Sequence, residues 1–250
     1  MLALKRTAMT TTAIILLVLF CTGASVIQRV SGFGFGIFIM TVLPHIMPSY
    51  GEATMLSGIL SALQSLYVLT TVYRQINWRH VLPILLTFIV VSFFAVQYVS
   101  IAADTHLKHL LGIILIVMSC YFLVISEKIH LKPTLPIQLS MGTLSGLMGG
   151  LFAMQGPPAV LYFVASETDK VRYLAATQAY FFIGNVVMTG YRAHSGFMTP
   201  TVGWCCLYAF AGIIVGTQIG RLLFNKLPLP ILRKIIYAYM AVGGVVALLA

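Results

Sequence analysis

The chain has 250 residues, of which 60% are hydrophobic and only 8% are charged. A soluble globular domain carries about 25% charged residues because water must wet its surface, so the composition excludes a soluble domain and indicates an integral membrane protein surrounded by lipid. The formal net charge is +10, but the basic residues occur singly or in pairs between apolar runs, without the continuous basic stripe of a nucleic-acid interface. We therefore expect no nucleic-acid partner.

The first half of the chain opens with an apolar run that is interrupted at residues 28–36 and resumes as a shorter arm ending before Pro48. We interpret the two arms as a hairpin at residues 10–47. Three uninterrupted apolar runs follow, each near the length of about 20 residues that a helix needs to cross the hydrocarbon core. They predict membrane-spanning helices at 53–73, 81–102 and 107–125, which complete a first repeat at residues 1–126.

A polar linker at 127–135 separates this unit from a second half with the same pattern, offset by about 121 to 125 residues. The second half, residues 136–250, is interrupted at residues 155–158. It predicts a hairpin at 136–165 and helices at 174–190, 199–220 and 229–250. The expected fold is therefore all-α: a polytopic integral membrane protein with two inverted structural repeats in one membrane domain, each a broken-helix hairpin followed by three transmembrane helices.

The distribution of Lys and Arg between the loops favours the inverted arrangement. If each hairpin crossed the membrane once, the basic loop residues, Arg192 among them, would divide evenly between the two sides. If each hairpin instead returns to its starting side, most of these residues gather on one side, as expected of cytoplasmic loops. We therefore predict a multi-pass protein with both termini outside the cytoplasm.

The two interruptions are the candidate substrate site. Gly32, Gly34 and Gly36 let the backbone leave helical geometry, and Pro157 and Pro158 lack the N–H that would continue a helix. A half-helix that begins after each break directs its N-terminal N–H groups inward, where their partial positive charge suits an anion. Tight helix crossings or simple kinks are the alternative interpretation.

Polar residues near the breaks extend this candidate site. Arg29 lies inside an apolar region with no acidic neighbour in sequence, so it either steers an anion or reaches to the headgroups. Gln178 and Asn185 are seven residues apart and share a helix face, and they either line a pathway or join helices by hydrogen bonds. The residues assigned to substrate binding are Arg29, Ser31, Gly32, Gly34, Gly36, Ser57, Gln155, Gly156, Pro157, Pro158, Gln178 and Asn185.

The absence of other motifs limits the chemistry. No carboxylate lies in the middle of an apolar run, which argues against a cation pump or a metal path. No P-loop, HExxH or Ser/His/Asp pattern is present. We therefore expect neither an enzyme nor a cofactor or metal site. A coupling proton or ion, and association into a homodimer, are left open.

Several segments together resemble the TauE/SafE family, also called the toluene-sulfonate uptake permease family. Residues 31–36, Ser-Gly-Phe-Gly-Phe-Gly, with the arm to Pro44, resemble its first-half signature. Residues 145–150 with residues 155–158 are similar to its second-half signature, and residues 172–185 resemble the helix that follows. Residues 153–155, Ala-Met-Gln, stand where members often have a longer glycine run, which leaves the exact substrate open.

The resemblance implies a transporter of sulfite, organosulfonates or other small sulfur-containing anions in the bacterial inner membrane. We therefore predict a secondary transporter that moves a small anion, sulfite or an organosulfonate, by alternating access. The predicted donors are backbone N–H groups at the breaks (Ala159 and Val160 in the second) and neutral side chains, Gln155, Gln178 and Asn185, with Arg29 steering at the cytoplasmic mouth. The alternatives are an uncoupled, channel-like anion protein with the same site, and a membrane assembly or scaffold protein whose breaks only permit close packing.

Overall fold

The computed structural model describes residues 10–124, 133–167 and 169–223, together with 241–242, 244–246 and 248. The predicted helix at 229–250 and the predicted linker at 127–135 lie largely outside these residues. Everything that follows concerns the described ranges.

The described residues form helices and connecting turns, and no strand occurs among them. The helices are α1 (Thr11–Ser31), α2 (Phe35–Met40), α3 (Leu43–Ile46), α4 (Tyr50–Val72), α5 (Trp78–Ile101), α6 (Asp104–Val124), α7 (Leu135–Phe152), α8 (Gly156–Ser166), α9 (Lys170–His194) and α10 (Pro200–Leu223). A 3-10 turn, Tyr73–Gln75, joins α4 to α5. This architecture confirms the predicted all-α class.

Within the described ranges, four helices are long and apolar enough to cross a membrane: α1, α4 with the turn after it, α5 and α10. On α5 and α10, large apolar side chains such as Phe94, Ile101 and Leu207 are exposed on the outer surface. Lipid is the medium that matches such a surface, so the protein is a multi-pass membrane protein. Helix α9 packs instead against α4, α5 and α8 in the interior, which explains how it tolerates a more polar sequence.

Both hairpin regions contain a broken helix. In the first, α1 ends at Gly32 with φ of 85°, and α2 begins after Gly34 with φ of 103°, a left-handed conformation that glycine adopts without steric cost. In the second, α7 ends at Ala153 with φ of 56°, and α8 carries Pro157 and Pro158 in its first turn. Proline is tolerated there because the first turn has no helical partner for its N–H.

Helices α4 and α9 form the centre of the bundle and run antiparallel. A Cβ added at Gly58, early in α4, would lie 3.1 Å from the hydroxyl of Thr189, late in α9. Two turns further along α4, Ser65 meets Gln28 of α1, and Gln28 in turn meets Gln178, early in α9. Residue numbers therefore rise along α4 as they fall along the facing part of α9.

A row of glycines spaced four residues apart on α10 packs against α1. These glycines are Gly212, Gly216 and Gly220. A Cβ at Gly212 would lie 2.7 Å from the carbonyl oxygen of Val18, and one at Gly220 would lie 2.7 Å from Cβ of Arg29. Small residues at this spacing let two membrane helices approach closely. Because both sets of numbers rise together, α1 and α10 run parallel.

A matching row on α7 packs against α5. Its glycines are Gly142, Gly146 and Gly150. A Cβ at Gly142 would lie 2.8 Å from the carbonyl oxygen of Ile84, and one at Gly146 would lie 2.8 Å from Cβ of Val91. Helices α5 and α7 therefore also run parallel. In each half, the long arm of the hairpin packs against a helix of the other half.

A contact between Glu167 and His80 shows where the second hairpin ends. Glu167 directly follows α8, and its Oε1 lies 2.7 Å from Nδ1 of His80 at the start of α5. Since α5 and α7 run parallel, the start of α5 marks the end of the bundle at which α7 begins. Helix α8 therefore brings the chain back toward the end of the bundle from which α7 started.

Candidate functional site

The two helix breaks meet beside α4 and α9. A Cβ added at Gly36 would collide with the carbonyl oxygen of Ala153, so the backbones of the two breaks are in direct contact. A small cavity lies next to this contact. It is lined by Gln28, Gly34, Gly36, Ile37, Ser61, Ser65, Ala153, Met154, Gln155, Gly156, Phe181 and Asn185.

The cavity is polar but uncharged, since none of the described residues that line it carries a formal charge. Ser61 and Asn185 are buried, and their side chains form no hydrogen bond with any described residue. Nε2 of Gln155 donates to the carbonyl of Phe181 at 3.2 Å, which leaves its second N–H available. The cavity is small, with room for about one water molecule.

Two glutamines secure the first break. Nε2 of Gln178 donates to the carbonyl of Gly32 at 2.7 Å, beyond the last turn of α1, where carbonyls have no helical donor. Nε2 of Gln28 donates to Oγ of Ser65 at 3.1 Å and to Oε1 of Gln178 at 3.4 Å. All three polar side chains are buried. Neutral amides thus tie the first break to both central helices.

Hydroxyl groups secure the second break. Oγ of Ser145 donates to the carbonyl of Gln155 at 2.5 Å, and the hydroxyl of Tyr180 donates to Oγ of Ser145 at 2.7 Å. The hydroxyl of Tyr50 donates to the carbonyl of Leu151 at 3.0 Å. Hydroxyls from α4 and α7 therefore donate to carbonyls around this break, and Tyr180 of α9 donates to the Ser145 hydroxyl that makes one of these bonds.

The start of α8 differs from the prediction for its backbone donors. The sequence predicts exposed N–H groups at Ala159 and Val160. Because the N-cap of α8 is Gln155, its carbonyl accepts the first helical hydrogen bond, which comes from Ala159, and the next bond uses Val160. Pro157 and Pro158 have no N–H. The prediction is therefore wrong for these two groups, and side chains supply most of the donors at the second break.

Arg192 has an unexpected position. It is the largest fully buried side chain of the described residues, and its Nη2 donates to the carbonyls of Gly149 at 2.8 Å and Gly150 at 3.3 Å. The prediction that placed Arg192 among the loop charges is wrong, because α9 continues to His194. Removing Arg192 from the loop count leaves the imbalance of basic residues between the two sides in place.

Of the predicted site residues, Gly34, Gly36, Gln155, Gly156 and Asn185 line the cavity. Gln178 and Gly32 do not line it, but their hydrogen bond fixes the first break beside it. The breaks, the Gln178 side chain and the Asn185 side chain therefore belong to one region of the molecule.

The other predicted site residues lie outside the cavity. Cβ of Arg29 faces Gly220 of α10. Oγ of Ser31 donates to the carbonyl of Phe33 within its own break, at 2.6 Å. Oγ of Ser57 is buried without a hydrogen-bond partner among the described residues.

The two prolines also lie outside the cavity. Pro157 and Pro158 line an apolar groove between α6, α7 and α8.

Sequence reasoning missed Gln28, Ser61 and Ser65 as cavity residues. A signal for the two serines was present, because Ser57, Ser61 and Ser65 follow one another at intervals of four residues, which places them on one face of a helix. Gln28 carried no comparable signal, since its role depends on contacts with α4 and α9.

The comparison with known proteins agrees with these features. The model of the sulfite exporter TauE/SafE family matches residues 15–247, nearly the whole chain. The chain belongs to the TauE/SafE family. A relative from Cupriavidus necator, named "Probable sulfite/organosulfonate exporter TauE", is 25% identical over 205 residues, which cover 78% of this chain and 77% of the relative. No solved structure matches the chain.

Membership of the TauE/SafE family confirms the resemblance drawn from the glycine and proline breaks. The match begins within α1 and extends past α10, so it includes both breaks and both central helices. A family of exporters and a multi-pass membrane fold together make this chain a membrane transport protein.

Proposed function

We propose that this TauE/SafE protein is a secondary transporter that carries sulfite or an organosulfonate across the cell inner membrane. The observation that carries the proposal is the buried, uncharged cavity between the two helix breaks, where Ser61, Gln155 and Asn185 hold donors for a ligand. The relative from Cupriavidus necator is named for sulfite and organosulfonate. Both are compact anions whose oxygens accept hydrogen bonds.

The donor set suits an anion that must bind and then leave. An anion that moves from water into a buried site loses hydration, and protein donors must replace it. Hydroxyl and amide groups do so without the full attraction of an opposite charge, so release remains easy. The described lining contains no carboxylate, and a cation therefore gains no ionic partner there.

We infer that the two halves are inverted and that transport uses alternating access. Helices α4 and α9 hold corresponding places in the two halves, and their antiparallel contact supports inversion. The hairpin of each half packs against a helix of the other half, α1 against α10 and α7 against α5. This packing supports two units that move against each other around the cavity. The narrow cavity fits a closed conformation that widens toward one side at a time.

The inverted arrangement places both termini on one side of the membrane, and the excess of Lys and Arg in the loops of the opposite side implies that this side is outside the cytoplasm. A reporter that is active only in the cytoplasm, fused to the C-terminus, is expected to give no signal. A strong signal would reject this orientation without affecting the substrate proposal.

Binding of sulfite tests the proposed cargo directly. Sulfite at about 100 times its Kd is expected to stabilise the purified full-length protein by roughly 2.7 kcal/mol. Asn185→Leu removes an unengaged amide from the cavity at similar side-chain volume, and it should weaken sulfite binding by about 1.5–3 kcal/mol, since the lost hydrogen bond is to a charged group. Thermal shift and flux into proteoliposomes measure the two effects.

Gln97→Leu on α5 is the matched control, because Gln97 is half-buried and outside the cavity. It should bind and transport sulfite like the wild type. Sulfite flux that saturates and responds to an imposed proton gradient supports coupled transport, whereas flux that does neither supports a channel-like protein. Wild-type protein that no sulfur anion stabilises would favour the scaffold alternative and contradict the proposal.

A further inference from the structure

Arg192 is a buried cation whose hydrogen-bonding capacity is only partly used. Its side chain has no exposed surface, and only Nη2 is engaged, by the carbonyls of Gly149 and Gly150. Among the described residues, Nε and Nη1 have no hydrogen-bond partner and no carboxylate lies within ion-pairing distance. A buried charge without a counter-charge is costly, and inside a membrane it usually marks a functional position.

A second unused polar group lies next to this guanidinium. Oγ1 of Thr189, nearly one turn earlier on α9, is buried and has no partner in the described chain. Both groups face Gly58 of α4: a Cβ at Gly58 would lie 3.0 Å from Nη1 of Arg192 and 3.1 Å from Oγ1 of Thr189. Because Gly58 has no side chain, the cationic donor and the hydroxyl both pack directly against the backbone of α4, next to each other.

This position lies on the same face of α9 as the cavity residue Asn185. Asn185, Thr189 and Arg192 occupy positions i, i+4 and i+7 of α9, so they lie on one helix face. Arg192 is about 10 Å along the helix axis from Asn185, which lines the cavity. On the antiparallel helix α4, Ser61 of the cavity lies nearly one turn from Gly58. Asn185, Thr189 and Arg192 therefore form a row of polar side chains along α9 that begins at the cavity.

We infer that Arg192 and Thr189 form a second oxyanion-binding position on the transport path, between the cavity and the end of the bundle where α9 terminates. A guanidinium is suited to this task because its planar N–H groups match the oxygens of an oxyanion. The incoming anion supplies a counter-charge that none of the described residues provides there. This inference rests on the proposed function, since it assigns a second binding position to the same transported anion.

Thr189→Val is the first test. A hydroxyl that stabilises the fold and a hydroxyl that binds the anion predict different effects on protein stability and on the KM for sulfite. Removal of an unpartnered buried hydroxyl leaves the stability of the protein unchanged or raises it. If the hydroxyl binds the anion, the KM for sulfite in proteoliposomes rises about tenfold or more while the protein remains fully folded. An unchanged KM would overturn the assignment of Thr189.

Gly58→Ala is the second test, with Gly190→Ala on α9 as its control. The added methyl group at Gly58 would lie 3.0 Å from Nη1 of Arg192 and should displace the guanidinium, whereas a Cβ at Gly190 would meet nothing within 4 Å. Gly58→Ala should raise the KM for sulfite by a similar factor, and Gly190→Ala should leave it unchanged. Equal KM values for both variants would overturn the proposal.

Arg192→Lys and Arg192→Gln separate anion binding from support of the α7 carbonyls. Lys retains the positive charge but not the guanidinium geometry, so sulfite flux should be partly retained with a raised KM. Gln retains a donor for the carbonyls but no charge, so flux should be lost while a melting transition remains. If Gln transports sulfite as well as Lys does, the charge has no role and the inference is wrong.

The wild type distinguishes this inference from the proposed function. If wild-type protein neither binds nor transports sulfite or an organosulfonate, the proposed function is wrong. The assignment of these anions as ligands of Arg192 and Thr189 is then wrong as well. If the wild type transports sulfite and the Thr189, Gly58 and Arg192 variants keep its KM, only the second position fails.

Discussion

The first hairpin breaks at glycines, whereas the second breaks at a residue that carries a side chain. Gly32 and Gly34 adopt positive φ angles in the first break, and Ala153 adopts one in the second. The first break depends on the amide of Gln178 for its bond to Gly32. The second is held by the hydroxyls of Ser145, Tyr180 and Tyr50 and by the guanidinium of Arg192.

The difference shows that two breaks with corresponding positions in the chain can be stabilised by different chemistry. Glycine removes the conformational cost of the first break, so few side-chain contacts are needed there. Ala153 retains that cost in the second break, and several hydrogen bonds from three helices offset it. We therefore expect the first break to be sensitive to single substitutions and the second to tolerate them.

Gly36→Ala should have the largest effect, because it acts on the contact between the two breaks. The new Cβ would collide with the backbone carbonyl of Ala153, and neither backbone can move without displacing its hairpin. We expect a loss of about 3 kcal/mol or more in the free energy of unfolding. A denaturation titration in detergent measures it. Gly203→Ala on α10, where a Cβ meets nothing within 4 Å, should unfold like the wild type.

Gln178→Leu tests the dependence of the first break on one side chain. It leaves the buried carbonyl of Gly32 without its side-chain donor and removes one of the two hydrogen bonds made by Nε2 of Gln28, which keeps the bond to Ser65. The expected cost is about 2 kcal/mol, within the usual range for a buried group left unsatisfied. The same titration, with Gln97→Leu as the control, measures it. A variant that matches the wild type would show that other groups secure this break.

Tyr180→Phe tests the tolerance of the second break. It removes the hydrogen bond to Ser145 but keeps the ring contacts with Phe88 and Phe163, whose centroids lie 5.3 and 5.6 Å away. The bond from Ser145 to the Gln155 carbonyl also remains. We expect a loss of about 1 kcal/mol. A loss larger than that of Gln178→Leu would reverse the comparison between the breaks.

Ala153→Gly should have the smallest effect and the opposite sign. Glycine relieves the steric cost of the positive φ angle at this position, and greater freedom of the unfolded chain offsets part of the gain. The net stabilisation should be roughly 0.5–1 kcal/mol. Thermal unfolding in detergent, compared with the wild type, measures it. A destabilised variant would indicate that the Ala153 methyl group contributes packing that outweighs the strain.

The sequence by itself determined the membrane environment, the all-α class and the places at which the two hairpins break. These features depend on composition and on residues close together in the chain. Apolar runs of about 20 residues favour a position in the hydrocarbon core of a membrane. Gly32, Gly34 and Pro157 act on their own backbone and its nearest neighbours. Such local preferences can be read without knowing which helices touch.

Only the tertiary structure decided which polar side chains share a site. Arg29 lies next to a predicted break, yet its Cβ faces α10; Arg192 follows a predicted helix end, yet it is fully buried. The contact that joins Gln28 to Gln178 spans 150 residues, and the partner of Gly36 is Ala153, in the other half of the chain. Such contacts depend on the antiparallel packing of α4 and α9. They also depend on the glycine rows that let α7 pack closely against α5 and α10 pack closely against α1. Close packing of distant helices, rather than any local pattern, therefore determines the composition of the site.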